Sequence, residues 1–119
     1  MPDPFHYPLA QIPEEGCKGI ATDRSPEANV LAVRRQGRLY VYRNLCPHLG
    51  LPLEWMPDQF LDRDGHYIQC ATHGALFRVD NGLCVAGPCQ GDQLQAIPFR
   101  QDEKSLIIDL SSLPPPSDG

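Results

Sequence analysis

The sequence predicts an all-β domain, an antiparallel β sandwich. Thirteen prolines and ten glycines are scattered through 119 residues, so few stretches are long enough for an uninterrupted helix. No stretch keeps apolar residues at helical spacing for more than about two turns. Short runs of β-branched and aromatic residues alternate instead with turn-forming residues. The length fits one domain and leaves no room for two ordinary ones.

Two β elements are predicted in the N-terminal part of the chain. Every second residue of the range 5–9 is apolar, which predicts an edge strand. Residues 29–43 contain two β-rich runs joined across Gln36 and Gly37. Because a polar residue followed by glycine favours a tight turn between strands, these residues predict a hairpin.

Further strands are predicted in the C-terminal part, at residues 66–69, 76–79, 83–86, 94–99 and 106–110. Asn81 and Gly82 tolerate a positive φ and predict a turn between the second and third of these strands. A polar turn at residues 102–104 separates the last two strands. Residues 1–110 are therefore predicted to form the domain, and residues 111–119, with three consecutive prolines, a flexible tail.

Charge and hydropathy exclude several classes of protein. The net charge is -5, and the chain has no run of basic residues beyond Arg34 and Arg35, which argues against a nucleic-acid partner. Apolar stretches are far shorter than the roughly 20 residues that cross a bilayer, which argues against a membrane protein. The first ten residues do not resemble an export signal, and five cysteines without one suggest a reducing compartment. We therefore expect a cytoplasmic location.

Two loops each place a cysteine close to a histidine. Cys46 and His48 are separated by one residue, Cys70 and His73 by two, and 21 residues lie between His48 and Cys70. Thiolate and imidazole bind borderline and soft metals, and two close pairs on loops allow four ligands to converge. None of the other three cysteines has a histidine two or three residues later. The pattern therefore predicts a metal site.

Zinc is one metal that this site could bind, because two cysteines and two histidines satisfy tetrahedral zinc. The common zinc finger, however, places both cysteines in one half of the motif and both histidines in the other. Here each half contains one cysteine and one histidine. The spacing therefore argues against a zinc finger.

These residues resemble the Rieske iron-sulfur proteins. The resemblance consists of a first ligand box at residues 46–50, a second ligand box at residues 70–74, and the downstream pair Gly87 and Pro88, where the family places a proline loop over its cluster. It spans about residues 29–110. It implies a Rieske-like antiparallel β sandwich in which the two boxes form a small cluster-binding subdomain.

The resemblance also implies a cofactor and its ligands. In Rieske proteins two cysteines hold one iron of a [2Fe-2S] cluster and two histidines hold the other iron. Carried over, Cys46 and Cys70 bind one iron, and His48 and His73 bind the other. Once these residues are assigned as ligands, no nucleophile paired with a base remains, so we do not expect the chain itself to catalyse a reaction.

The function implied by the resemblance is that of a soluble electron carrier. Such carriers accept one electron from a flavoprotein reductase and pass it to a terminal oxygenase or a similar acceptor. One alternative is a small Rieske subunit of a larger reductase, similar to that of nitrite reductases. Another is a structural zinc module or a redox-sensing module.

The subtype is predicted from four positions at which high-potential Rieske proteins differ. Those proteins carry an extra cysteine in each box, which form a disulfide, and a serine and a tyrosine that donate hydrogen bonds to sulfur. The matching positions here are Leu51, Thr72, Ala75 and Phe77. Because hydrogen bonds to sulfur stabilise the reduced cluster, their absence predicts a midpoint potential on the order of -150 mV, near the lower end for Rieske centres.

Overall fold

The computed structural model describes residues 5–22, 29–45, 53, 60–62, 65–70, 74–87 and 90–109. Within these ranges the chain forms one short 3-10 helix, Leu9–Gln11, and nine strands: β1 (Phe5–Pro8), β2 (Gly16–Ile20), β3 (Val30–Arg35), β4 (Arg38–Arg43), β5 (Tyr67–Gln69), β6 (Leu76–Arg78), β7 (Cys84–Ala86), β8 (Phe99–Gln101) and β9 (Ser105–Ile108). The all-β prediction is confirmed. In this part of the chain no helix is long and apolar enough to cross a membrane.

The strands form three small antiparallel sheets. The terminal sheet has the order β1-β9-β8, the central sheet β2-β3-β4, and the Cys70 sheet β5-β6-β7. In the central sheet, the hairpin predicted for residues 29–43 is confirmed, with Arg35 paired to Arg38. Gln36 and Gly37 between them both have positive φ, 52° and 77°. A tight turn in which both central residues have positive φ matches the right-handed twist of the strands that it joins.

Two hydrophobic cores lie on opposite faces of the central sheet. The Cys70 core consists of Leu31, Val33, Tyr42, Leu53, Phe60, Ile68, Cys70, Ala75, Phe77, Val79, Cys84 and Leu94. The terminal core consists of Ile12, Ile20, Val30, Ala32, Leu39, Val41, Ile97, Leu106 and Ile108. Because successive side chains of a strand point to opposite faces, β3 and β4 contribute to both cores. The central sheet is therefore buried on both faces, and the predicted sandwich has three layers.

Two features of the sheets differ from the sequence-based expectations. The strand predicted at residues 94–99 begins only at Phe99, and the preceding residues contact β4 through a single bridge between Ala96 and Tyr42. Pro98 lacks the N–H group that a continuous ladder needs. Strand β2, which pairs with β3 from Gly16 to Ile20, was not predicted. Its glycines lower the local strand propensity, so its pairing depends on β3.

The side chain of Tyr42 connects the central sheet to the Cys70 sheet. Tyr42 is buried, and its hydroxyl donates a hydrogen bond of 2.6 Å to the carbonyl oxygen of Val79, just after β6. Burial, with smaller contributions from Asp80 and Tyr40, raises the pKa of Tyr42 to about 12. The neutral hydroxyl is thus the form that the folded protein retains.

Replacing Tyr42 by phenylalanine is expected to lower the stability at neutral pH by about 1–3 kcal/mol, because the buried carbonyl of Val79 loses its donor. The pH dependence should also change. In the unfolded chain the tyrosine ionises near its ordinary pKa of about 10, so the wild-type protein loses up to about 1.4 kcal/mol per pH unit from there to the folded pKa of about 12. Tyr42→Phe lacks this loss.

Denaturant unfolding of the holoprotein at pH 8 and at pH 11 measures both effects. Tyr67→Phe is the matched control, because Tyr67 is among the exposed large side chains of the described residues. The assignment to Tyr42 is wrong if Tyr42→Phe and the wild-type protein lose the same stability between the two pH values.

Candidate metal centre

Of the four predicted ligands, Cys70 is the one that the structure describes. It directly follows β5, and its side chain lies fully buried in the Cys70 core. Cys46, His48 and His73 lie outside the described residues, as do Leu51, Thr72 and the tail predicted at residues 111–119.

Backbone hydrogen bonds connect the two ends of the segment between β5 and β6. The N–H of Cys70 donates to the carbonyl oxygen of Ala75 at 2.9 Å, and the N–H of Gly74 donates to the carbonyl oxygen of Cys70 at 2.8 Å. Both ends of the second ligand box are thus fixed by backbone hydrogen bonds. The sheet register continues this arrangement, since Gln69 pairs with Leu76. The thiol of Cys70 is therefore held at a fixed place at the end of the Cys70 sheet.

The chain after β7 closely approaches Ala75, the residue that follows the second ligand box. Gly87 has a φ of 102°, and a Cβ atom at this position would lie 2.7 Å from the Cα of Ala75 and 3.0 Å from its Cβ. No real Cβ makes such contacts, so only glycine allows this approach. Gly87 directly precedes Pro88 in the sequence, and Gly87 itself lies against Ala75, the residue that follows the box.

The first ligand box is bounded by two buried residues. Asn44, at the end of β4, is 4% exposed, and Leu53 is fully buried. The carboxamide Oδ1 of Asn44 accepts a hydrogen bond of 2.8 Å from the N–H of Leu53. This bond links the residues on either side of the segment that contains Cys46 and His48. Sequence reasoning missed Asn44; the signal was a polar residue two positions before Cys46, at the end of an alternating strand.

A short hairpin positions β5 and hence Cys70. Oδ1 of Asp62 accepts hydrogen bonds from the N–H groups of His66 (2.8 Å) and Tyr67 (3.1 Å). Leu61 forms a β-bridge with Ile68 on the opposite side of the hairpin. The hydrogen bonds to Asp62 therefore set the point at which β5 begins. Strand β5 ends at Gln69, and the candidate ligand Cys70 follows it directly.

The surroundings of Cys70 fit an iron-sulfur centre. No charged side chain is buried among the described residues, and Cys70, Ala75 and Phe77 are all fully buried in the apolar core. A lone thiolate here would lack solvation, whereas a thiolate bound to iron shares its charge with the metal. Hard cations such as magnesium or calcium require oxygen ligands and water, and the described side chains of this core include no carboxylate. The Cys70 thiol and the apolar side chains around it therefore suit a metal centre that binds thiolate and carries no water.

A comparison with protein families and characterised proteins agrees with this geometry. The model of the family described as Rieske [2Fe-2S] domain matches residues 8–102. The chain is 31% identical over 90 residues to the ferredoxin component of the alkene monooxygenase system of Xanthobacter autotrophicus, covering 74% of this chain and 67% of that protein. The family match begins earlier in the chain than the resemblance over residues 29–110 and includes β2.

Solved structures share the fold. The ferredoxin of carbazole 1,9a-dioxygenase from Nocardioides aromaticivorans superimposes with a TM-score of 0.67 at 22% identity, covering 90% of this chain and 97% of that one. The Sphingomonas yanoikuyae B1 ferredoxin gives 0.68 at 22% identity, covering 91% and 98%. A chain from the reduced complex between oxygenase and ferredoxin in carbazole 1,9a-dioxygenase gives 0.66 at 19% identity, covering 87% of this chain but 28% of that one. The predicted Rieske-like sandwich is confirmed.

Proposed function

Because this chain belongs to the family of Rieske [2Fe-2S] domains, we propose that it is a soluble electron carrier that passes single electrons from a flavoprotein reductase to an oxygenase or a similar acceptor. The observation that carries this proposal is its 31% identity to a ferredoxin component of a monooxygenase system. The solved ferredoxins with the same fold support it. The chain itself would catalyse no reaction, and the domain of residues 1–110 would work in the cytoplasm.

The proposed ligands are Cys46 and Cys70 for one iron and His48 and His73 for the other. The [2Fe-2S] cluster supplies reversible uptake of one electron. The buried thiol of Cys70, fixed by the backbone bonds of its turn, supports the assignment.

The residues of the chain determine how the site holds and insulates its cofactor. The apolar side chains around Cys70 exclude water from the cysteine sulfur. Ala75 and Phe77 are both fully buried and carry no hydroxyl group, so neither side chain donates a hydrogen bond to sulfur there. This supports the low midpoint potential expected from the sequence.

Electron paramagnetic resonance of the dithionite-reduced protein, purified without air, tests the proposal together with a redox titration of the same sample. We expect the low average g value of a cluster with mixed cysteine and histidine ligands and a midpoint potential below zero. A protein that gives no such signal and contains zinc would overturn the proposal in favour of a structural metal module. A midpoint well above zero would contradict only the interpretation of Ala75 and Phe77.

The histidine ligands are tested by replacing His73 with cysteine. A second thiolate in place of a neutral imidazole adds negative charge to the cluster, so the midpoint should fall strongly, toward the roughly -400 mV of all-cysteine ferredoxins. His66→Cys is the matched control, since the side chain of His66 is exposed and its N–H donates to Asp62 in either variant. An unchanged midpoint in holoprotein carrying His73→Cys would remove His73 from the ligand set.

A further inference from the structure

Two polar residues are buried among those that the structure describes, and both belong to one hydrogen-bonded path. They are Thr22 and Asn44, each 4% exposed. A buried polar side chain is costly unless it is hydrogen-bonded, so its position usually reflects a specific structural demand. The path that joins these two residues leads to the first ligand box.

The path begins where Asn29 bonds to Thr22. Oδ1 of Asn29 accepts a hydrogen bond of 3.2 Å from the N–H of Thr22, and Nδ2 of Asn29 donates one of 3.0 Å to the hydroxyl oxygen of Thr22. The carbonyl oxygen of Asn29 then accepts the N–H of Asn44 at 3.0 Å. Asn44 is therefore held by a residue next to β3, outside either ligand box.

From this fixed position the carboxamide of Asn44 reaches across the first ligand box. Its Oδ1 accepts the N–H of Leu53 at 2.8 Å, nine residues further along the chain. Leu53 is itself fully buried in the Cys70 core, to which Cys70 also belongs. The bond thus fixes Leu53, which follows the first box, relative to Asn44, which precedes it. Because Leu53 belongs to the Cys70 core, the bond also fixes this end of the segment relative to the core that contains Cys70.

We propose that Asn44 is a positioning residue for the first ligand box, acting through its Oδ1 on the segment that carries Cys46 and His48. This rests on the proposed function, in which those two residues bind the cluster. A loop closed at its ends has fewer conformations available than an open one, so its ligands meet the iron at lower entropic cost. Without the bond, the segment from residue 45 to residue 53 loses this closure, and the N–H of Leu53 loses its buried acceptor.

The test compares three variants of the holoprotein. Asn44→Leu has a similar volume and no acceptor, and Asn44→Asp keeps an acceptor oxygen at the same reach. Thr22→Val is the matched control, because it removes a buried hydrogen-bonding group from the same path without touching the bond to Leu53. Where Asn44→Leu does not accumulate as folded protein, Asn44→Ser takes its place, since serine has an acceptor too short for the span.

Two measurements are made on each variant: the g values and line width of the reduced cluster, and the rate at which a chelator removes iron at a temperature well below unfolding. We expect Asn44→Leu to shift or broaden the signal and to lose iron about tenfold faster, the factor for one lost buried hydrogen bond. Asn44→Asp should restore the wild-type line shape. Thr22→Val should leave both measurements near wild type, even where its melting temperature falls.

The proposal is overturned if Asn44→Leu matches the wild-type protein in both measurements, or if Thr22→Val changes them as much as Asn44→Leu does. Failure of Asn44→Asp to restore the line shape would overturn the assignment to Oδ1. These outcomes differ from failure of the proposed function, which appears in the wild-type protein as zinc without a Rieske signal. In that event the rate of zinc release, compared across the same variants, decides the role of Asn44.

Discussion

Replacing Cys70 by alanine is expected to abolish the iron-sulfur cluster. The turn between β5 and β6 holds the Cys70 thiol in the apolar core, and no other described side chain at this turn replaces it as a soft ligand. A cluster that lacks one thiolate is exposed to loss of iron and sulfide. Iron and sulfide content and the visible absorption of protein purified without air measure the result. We expect close to two irons per chain in the wild-type protein and close to none in Cys70→Ala.

Cys84→Ala is the control for this prediction. Cys84 is 2% exposed and belongs to the same core, and its thiol donates to the carbonyl oxygen of Ala86 at 3.2 Å. Its removal costs packing in the same core, as the removal of Cys70 does, together with a weak hydrogen bond, but Cys84 is not a proposed ligand. Cys84→Ala should therefore keep a full complement of iron. Equal loss of iron in the two variants would mean that core damage, and not ligation, explains the effect of Cys70→Ala.

Replacing Gly87 by alanine is expected to damage the cluster site almost as severely. The new Cβ would lie 2.7 Å from the Cα of Ala75, a backbone atom directly after the second ligand box. Since a backbone atom cannot rotate away as the end of a side chain can, either the turn or the chain after β7 must move. We expect Gly87→Ala to be isolated with little cluster, or with an altered paramagnetic resonance spectrum.

Gly91→Ala separates crowding from backbone strain. Gly87 and Gly91 have nearly the same φ, 102° and 98°, so alanine is strained to a similar degree at both positions. A Cβ on Gly91, however, would meet nothing within 4 Å. Gly91→Ala should lower the melting temperature yet retain the cluster and its spectrum. If both variants lose the cluster equally, the contact with Ala75 is not what makes glycine necessary at position 87.

Local signals were sufficient to predict much of the fold. The hairpin of β3 and β4 could be predicted because the turn residues Gln36 and Gly37 lie directly between two alternating runs, so every interaction that defines it is close in sequence. The ligand boxes are a prediction of the same local kind, since the spacing of cysteine and histidine within each box is itself the signal. Of that set the structure describes Cys70, which is fully buried, and the four ligands stay a prediction.

Features that depend on distant residues could not be predicted. Strand β2 contains two glycines and exists through its pairing with β3. The role of Asn44 depends on a hydrogen bond to Leu53 across an intervening loop, and asparagine at the end of a strand is otherwise typical of an ordinary turn. The close approach of Gly87 to Ala75 likewise can be predicted only when the register of β5, β6 and β7 is known.

The central sheet separates the Cys70 core from the terminal core and contributes side chains to both. Along β3, Leu31 and Val33 face the Cys70 sheet, whereas Val30 and Ala32 face the terminal sheet. Each core can therefore be redesigned on its own, provided that the side chains of the central sheet that face this core are changed at the same time. A grafted set of ligand loops from another relative would need new side chains at positions 31, 33 and 42, while the opposite side of the same strands stays as it is. Insertion of a single residue within β3 would turn the following side chains to the opposite face, so it would disturb both cores at once.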